Sequence, residues 1–207
     1  SAAEHTMAMI MSLSRNIYLG HSSLMKGEWN RNSLVGNELQ NKTLGVVGLG
    51  KIGREVIKRS LSYDMNILGF DPYVNKEQFN EEETKIVDLD FLIENSDFIT
   101  LHLPINDSTR NLFDYDKIKK MKKTARIINV ARGGIINESD LANALNNDII
   151  SGAAIDVFES EPLESSNPLI NSKNILLTPH LGASTHEASE GVSFGICRQI
   201  KDFLLEE

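Results

Sequence analysis

The chain has 207 residues and a formal net charge of −8, with 41% hydrophobic and 24% charged residues. That is enough apolar material to build the core of one large domain or two small ones, and the acidic balance excludes DNA or RNA as the main partner, since a phosphate backbone demands a basic face. A single cysteine, Cys197, excludes an intrachain disulfide and suits a reducing, cytoplasmic setting; no apolar run approaches the length of a membrane span, and Glu4 and His5 interrupt any secretory-leader pattern.

In chain order, Met7, Ile10, Met11, Ser14 and Ile17 recur at helical spacing and predict a helix over 2–19. Residues 20–42 read as a polar, irregular arm that carries the only tryptophan, Trp29. From Thr43 onward strands and helices alternate. Strands are predicted at 43–48, 65–70, 85–87, 97–101, 125–130, 152–157 and 174–178. Helices are predicted at 51–63, 88–95, 114–121, 137–147 and 184–204, with Asp88 and Asn137 as starts. This alternation implies an α/β fold, a doubly wound, Rossmann-like parallel sheet of about seven strands with helices on both faces. Three regions follow: a helix and arm over 1–36, a nucleotide-binding domain over 37–183 and a C-terminal helix over 184–207. The basic run Lys117, Lys119, Lys120, Lys122 and Lys123 reads as a solvated helix face. Cys197, beside Phe194, Ile196 and Ile200, reads as a buried helical thiol.

The first strand runs into Gly48-Leu49-Gly50-Lys51-Ile52-Gly53, and a helix follows. A strand, a glycine turn and a helix N-terminus together make a site for a dinucleotide pyrophosphate. Gly48 permits the tight turn, Gly50 keeps side chains away from the phosphates, and Gly53 lets helix and strand approach. Asp71 ends the next apolar run, about 20 residues on, where an acidic group meets the adenosine ribose. A carboxylate there accepts from ribose hydroxyls and repels a 2′-phosphate, which favours NAD over NADP.

Further polar residues stand just beyond predicted strands: His102, Arg132, Asp156 and His180. Ligands of parallel sheets bind at those strand ends. Arg132, in Asn129-Val130-Ala131-Arg132-Gly133-Gly134, can fork onto a carboxylate. His180, in Thr178-Pro179-His180-Leu181-Gly182-Ala183-Ser184-Thr185, is a candidate for proton transfer. His5, His21, His102 and His186 are read as structural. Glu161 and Glu159 compete as the carboxylate that would support the imidazolium of His180, and spacing does not choose between them. The scattered histidines and single cysteine suggest no metal site.

These motifs together resemble the D-isomer-specific 2-hydroxyacid dehydrogenases, and the resemblance runs through nearly all of the chain. It implies a catalytic trio of Arg132, Glu161 and His180, with Glu161 chosen because it directly precedes Pro162. It also implies cofactor contacts at Gly48, Gly50, Lys51, Ile52, Gly53, Asp71, Leu103, Val130, Ala131, Arg132, Asp156, His180, Gly182 and Ala183, with Asp156 near the nicotinamide. Leu103 departs from the hydroxyl residue that relatives often carry there. The substrate implied is a small 2-hydroxy acid. The wording Ala3-Glu4-His5-Thr6, Gly27-Glu28-Trp29 and 179–185 favours the branch that uses 3-phosphoglycerate. Two alternatives stay open: another 2-hydroxy or 2-oxo acid as substrate, and a non-catalytic NAD-binding regulator. The resemblance further implies a homodimer, with the 2–19 helix and the arm as its contact. Finally, it implies a longer enzyme, in which part of a substrate domain precedes this cofactor domain.

Overall fold

A computed structural model describes residues 1–191. Its seven strands are β1 (Thr43–Val47), β2 (Asn66–Phe70), β3 (Lys85–Ile86), β4 (Phe98–Leu101), β5 (Arg126–Asn129), β6 (Gly152–Ile155) and β7 (Ile175–Leu177). They form one parallel sheet in the order β3-β2-β1-β4-β5-β6-β7. β4 and β6 are buried along their whole length, as a sheet covered on both faces requires. The chain winds outward from β1 in both directions, so a crevice opens between the carboxyl ends of β1 and β4.

The helices are α1 (Ala2–Ser14), α2 (Ile17–Met25), α3 (Lys51–Leu61), α4 (Leu89–Asn95), α5 (Tyr115–Ile118) and α6 (Glu138–Asn146). Asp88, Asp114 and Asn137 cap α4, α5 and α6 by accepting backbone N–H bonds in the first turn. α4 and α6 contribute Leu92, Ile93, Leu141 and Leu145 to the core on one face of the sheet. On the other face, α1 and α3 contribute Met7, Ile10, Leu13, Val56 and Ile57. At roughly 1.5–3 kcal/mol per fully buried aliphatic side chain, the α1 stripe is a substantial part of that second core.

The N-terminal region differs from expectation in two ways. The helix predicted over 2–19 is two helices, with Asn16 between them in the left-handed region (φ 53), and the second runs on to Met25, into the arm predicted to be irregular. The returning arm explains the stop. The Asn37 N–H donates to the Ser14 carbonyl (2.7 Å), and a Cβ on Gly36 would meet that same carbonyl at 2.5 Å. The helix expected as a dimer contact also buries Met7, Met9 and Ile10 against this chain's own sheet. The exposed apolar residues lie further on, at Leu24, Met25, Trp29 and Val35; α2 buries none of its residues. In the lysine run, Lys119 pairs with Asp116, Lys120 with Asp90 and Lys122 with Asp97, as a solvated face would. Residues 186–191 are helical. The rest of the helix predicted over 184–204, and with it Cys197, lies outside the described residues.

Candidate active site

Strand register builds the site. Phe70, Val47, Leu101, Asn129, Ile155 and Leu177 stand side by side at the carboxyl ends of their strands. Several following residues extend the ladder: Gly48 N–H donates to the Phe70 carbonyl, His102 to Val47, Asp156 to Asn129 and Thr178 to Ile155, at 2.7–3.1 Å. One row across the sheet therefore holds the glycine turn, His102, Asp156 and Thr178.

At the β1 end, Gly48 adopts φ +98, and a Cβ on Gly53 would run into the Gly48 carbonyl. Both positions need glycine for helix and strand to meet as they do. A Cβ on Gly50 would point into open space, and no side chain caps α3. The first N–H groups of α3 thus face an open cradle, as a pyrophosphate requires. Asp71 accepts from Leu49 N–H (2.9 Å) at one oxygen and from Tyr73 N–H (2.9 Å) at the other. It braces the glycine turn and keeps lone pairs for a ribose.

Beyond the turn lies a cavity of about 520 Å³. Of the predicted cofactor residues, Ile52, Leu103, Val130 and Ala131 line it, as do Arg132, His180, Gly182 and Ala183. Pro104, Ile105, His102 and Ala2 complete the wall. Asp156 is not in this wall. It is fully buried behind the 178–182 turn, where its carboxylate accepts from Leu181 N–H (2.8 Å), Gly182 N–H (2.9 Å), the Thr178 hydroxyl (2.5 Å) and His5 Nε2 (3.1 Å).

His180 sits on that turn at φ 54. Its Nδ1 lies 2.7 Å from Glu161 Oε2, and Glu161 Oε1 accepts from Phe158 N–H (2.9 Å). With Nδ1–H donated to the carboxylate, Nε2 is left as the proton acceptor. Partial burial of Glu161 disfavours its charge, but the bonds from His180 and Phe158 outweigh that and lower its pKa on balance. Glu159 is turned away. It pairs with Arg110 (3.7 Å), and its amide donates to Glu138. Arg132 is exposed at the cavity rim, held by a bond from Nη1 to the Ala131 carbonyl (2.6 Å).

The family model for D-isomer specific 2-hydroxyacid dehydrogenase, NAD binding domain, matches residues 7–182. The chain belongs to that family. Curated relatives within it include D-3-phosphoglycerate dehydrogenases of Synechocystis sp., 46% identical over 99% of this chain and 37% of the relative, and of Methanocaldococcus jannaschii, 45% identical over 100% and 40%. The chain thus spans about two fifths of the length of those relatives. Among solved structures, the NAD-dependent formate dehydrogenase of Staphylococcus aureus in complex with NAD superposes with a TM-score of 0.90 at 33% identity, covering 98% of this chain and 61% of that one. The D-lactate dehydrogenase of Aquifex aeolicus, complexed with NAD and lactic acid, gives 0.88 at 27%, covering 99% and 66%.

For this NAD-binding domain the dinucleotide is the cofactor, and the open cradle over Gly50 with the uncapped α3 fits it. Two residues of the site were read from the sequence as structural only. His5 is 151 positions from Asp156, and no local pattern links the two. His102 lines the cavity with its Nε2 3.0 Å from the Thr100 hydroxyl, and burial pushes its pKa down to about 4. Among the described residues no cluster of His, Cys, Asp and Glu could hold a metal, and no helix is long and apolar enough to cross a membrane.

Proposed function

We propose that this chain is the cofactor half of an oxidoreductase that oxidises the C2 hydroxyl of a small D-2-hydroxy acid, with 3-phosphoglycerate as the favoured substrate. That reaction opens L-serine biosynthesis. The observation that carries the catalytic reading is the His180–Glu161 pair at 2.7 Å beside the cavity. The substrate reading rests on relatives named D-3-phosphoglycerate dehydrogenase at 40–46% identity. Gly48, Gly50, Lys51 and Gly53 hold the pyrophosphate, Asp71 the adenosine ribose, and Leu103, Val130, Ala131, Gly182 and Ala183 the remainder of the dinucleotide. Asp156 acts there by holding the turn behind the nicotinamide.

When bound, the nicotinamide supplies the acceptor for the hydride that leaves C2. His180 Nε2 takes the hydroxyl proton, Glu161 holds Nδ1–H and stabilises the imidazolium as it forms, and Arg132 orients the substrate carboxylate. The enzyme works in the cytoplasm, which suits a chain with one cysteine. It is a homodimer whose contact includes the exposed Leu24, Met25, Trp29 and Val35.

A substrate panel on the full-length protein tests the reading. NAD-linked oxidation of 3-phosphoglycerate, at a kcat/KM well above those for D-lactate and D-glycerate, is the expected result. A preference for D-lactate would move the enzyme to another substrate of the same chemistry. No turnover of any 2-hydroxy acid would leave an NAD-binding regulator.

A further inference from the structure

The turn that carries His180 is held in an uncommon conformation. A histidine at φ 54 costs of order 1–3 kcal/mol relative to an ordinary backbone and persists only where its surroundings over-determine it. Those surroundings converge on Asp156. The His180 N–H is shared between the Asp156 carbonyl (2.9 Å) and the Thr178 carbonyl (3.0 Å). The next two amides, Leu181 and Gly182, donate to the Asp156 carboxylate, and the Thr178 hydroxyl donates to the same group. All of these lie within or beside the turn, and one donor comes from elsewhere. His5, on the first turns of α1, brings Nε2 to 3.1 Å from Asp156 Oδ1 and 3.2 Å from Thr178 Oγ1. Its side chain is only 20% exposed, and Asp156 is not exposed at all. A buried carboxylate needs every donor it has, because an unmet lone pair there has no water to turn to. α1 is firmly seated on the sheet through Met7, Met9 and Ile10, so His5 is a donor of fixed position.

We propose that His5 is a positioning residue for the nicotinamide end of the site. It acts through Asp156 and Thr178 to hold the 178–183 turn, and with it His180, Gly182 and Ala183, in the shape that lines the cavity. The inference rests on the cofactor reading above. That reading places the pyrophosphate and adenosine at the Gly48–Gly53 turn and Asp71, and leaves the opposite, His180 end of the cavity for the nicotinamide.

The two ends allow a test that a general loss of stability would not mimic. Binding of NADH and of ADP-ribose, which lacks the nicotinamide, is measured by calorimetry on the 207-residue chain, for wild type and for His5→Leu, His5→Gln and Thr178→Val. Gln can return a side-chain N–H near the place of Nε2. His5→Leu should weaken NADH about ten-fold, the scale of one hydrogen bond to a charged group, and ADP-ribose less than about two-fold. His5→Gln should recover most of the NADH affinity. Thr178→Val keeps the side-chain volume and should show the same selective loss, which preserves the test if His5→Leu fails to fold. Unchanged NADH binding in His5→Leu, or equal losses for both ligands in the variants, would overturn the proposal. A wild-type chain that bound neither ligand would remove the cofactor reading itself, and this inference with it.

Discussion

His180 and His102 stand in the same wall of the cavity and are set up for opposite purposes. His180 is half exposed and paired through Nδ1 with Glu161, so its free nitrogen is available to exchange a proton with a bound molecule. General acid–base catalysis by such a group is worth roughly 10² to 10⁴ in rate. In the full-length enzyme, His180→Asn should lower kcat by that order while the Kd for NAD, read by calorimetry, changes little. His102 is enclosed and stays neutral. Its pKa falls from 6.5 to about 4 in the folded chain, so below pH 6.5 the unfolded chain takes up a proton that the folded chain refuses. The stability present above pH 6.5 is therefore lost as pH falls towards 4. The loss is at most about 3 kcal/mol, because the ring borders the cavity and water screens part of the effect. His102→Gln does not titrate there and should flatten the fall of Tm between pH 6.5 and 4. Equal slopes in variant and wild type would exclude His102 as the source. Sequence pattern separated neither residue by environment: both follow a predicted strand. His180 was selected for its motif, whereas burial, which motifs do not carry, is what makes His102 different.

Each strand-to-helix connection on this rim is also braced by another. The turn after β5 packs so closely on the segment after β6 that a Cβ on Gly133 would overlap the Phe158 carbonyl. Phe158 in turn supplies the amide that holds Glu161. Gly133→Ala should destabilise the chain by about 1–3 kcal/mol, the usual cost of overpacking against atoms that cannot yield, measured as a lower urea midpoint. It should also impair catalysis in the full-length enzyme through Glu161. Glycines at 133 and 134 permit both a sharp turn and a close backbone approach. The structure shows Gly133 making its close approach to the neighbouring loop, and Gly134 turning the chain at φ +77. Element boundaries were otherwise legible to within a few residues, because buried parallel strands are continuous apolar runs, and Asp88 and Asn137 mark helix starts by accepting first-turn amides. The break at Asn16 was not legible. It depends on the arm that returns to Ser14 from more than 20 residues away.

At the scale of the molecule, the carboxyl edge of the sheet carries the cavity lined by Arg132 and His180. The chain covers 37% of the Synechocystis relative and 40% of the Methanocaldococcus jannaschii one, so both are longer proteins. We therefore expect the 207 residues to bind NAD by calorimetry yet to oxidise no 3-phosphoglycerate in an NADH absorbance assay; measurable turnover by this chain alone would show the site to be complete as it stands. The alternating pattern and the glycine turn with its distant acid sufficed for the fold class and the cofactor, and the Arg132, Glu161 and His180 motifs named candidates for the reacting groups. These features are local, or recur at a spacing that the helix and strand periods impose. The burial of α1 on its own sheet, the retreat of Asp156 behind the turn and the arrival of His5 beside it needed the folded chain. Each is a contact between segments far apart in sequence, and such contacts are selected by packing and by the need of buried polar groups for partners, neither of which leaves a periodic trace.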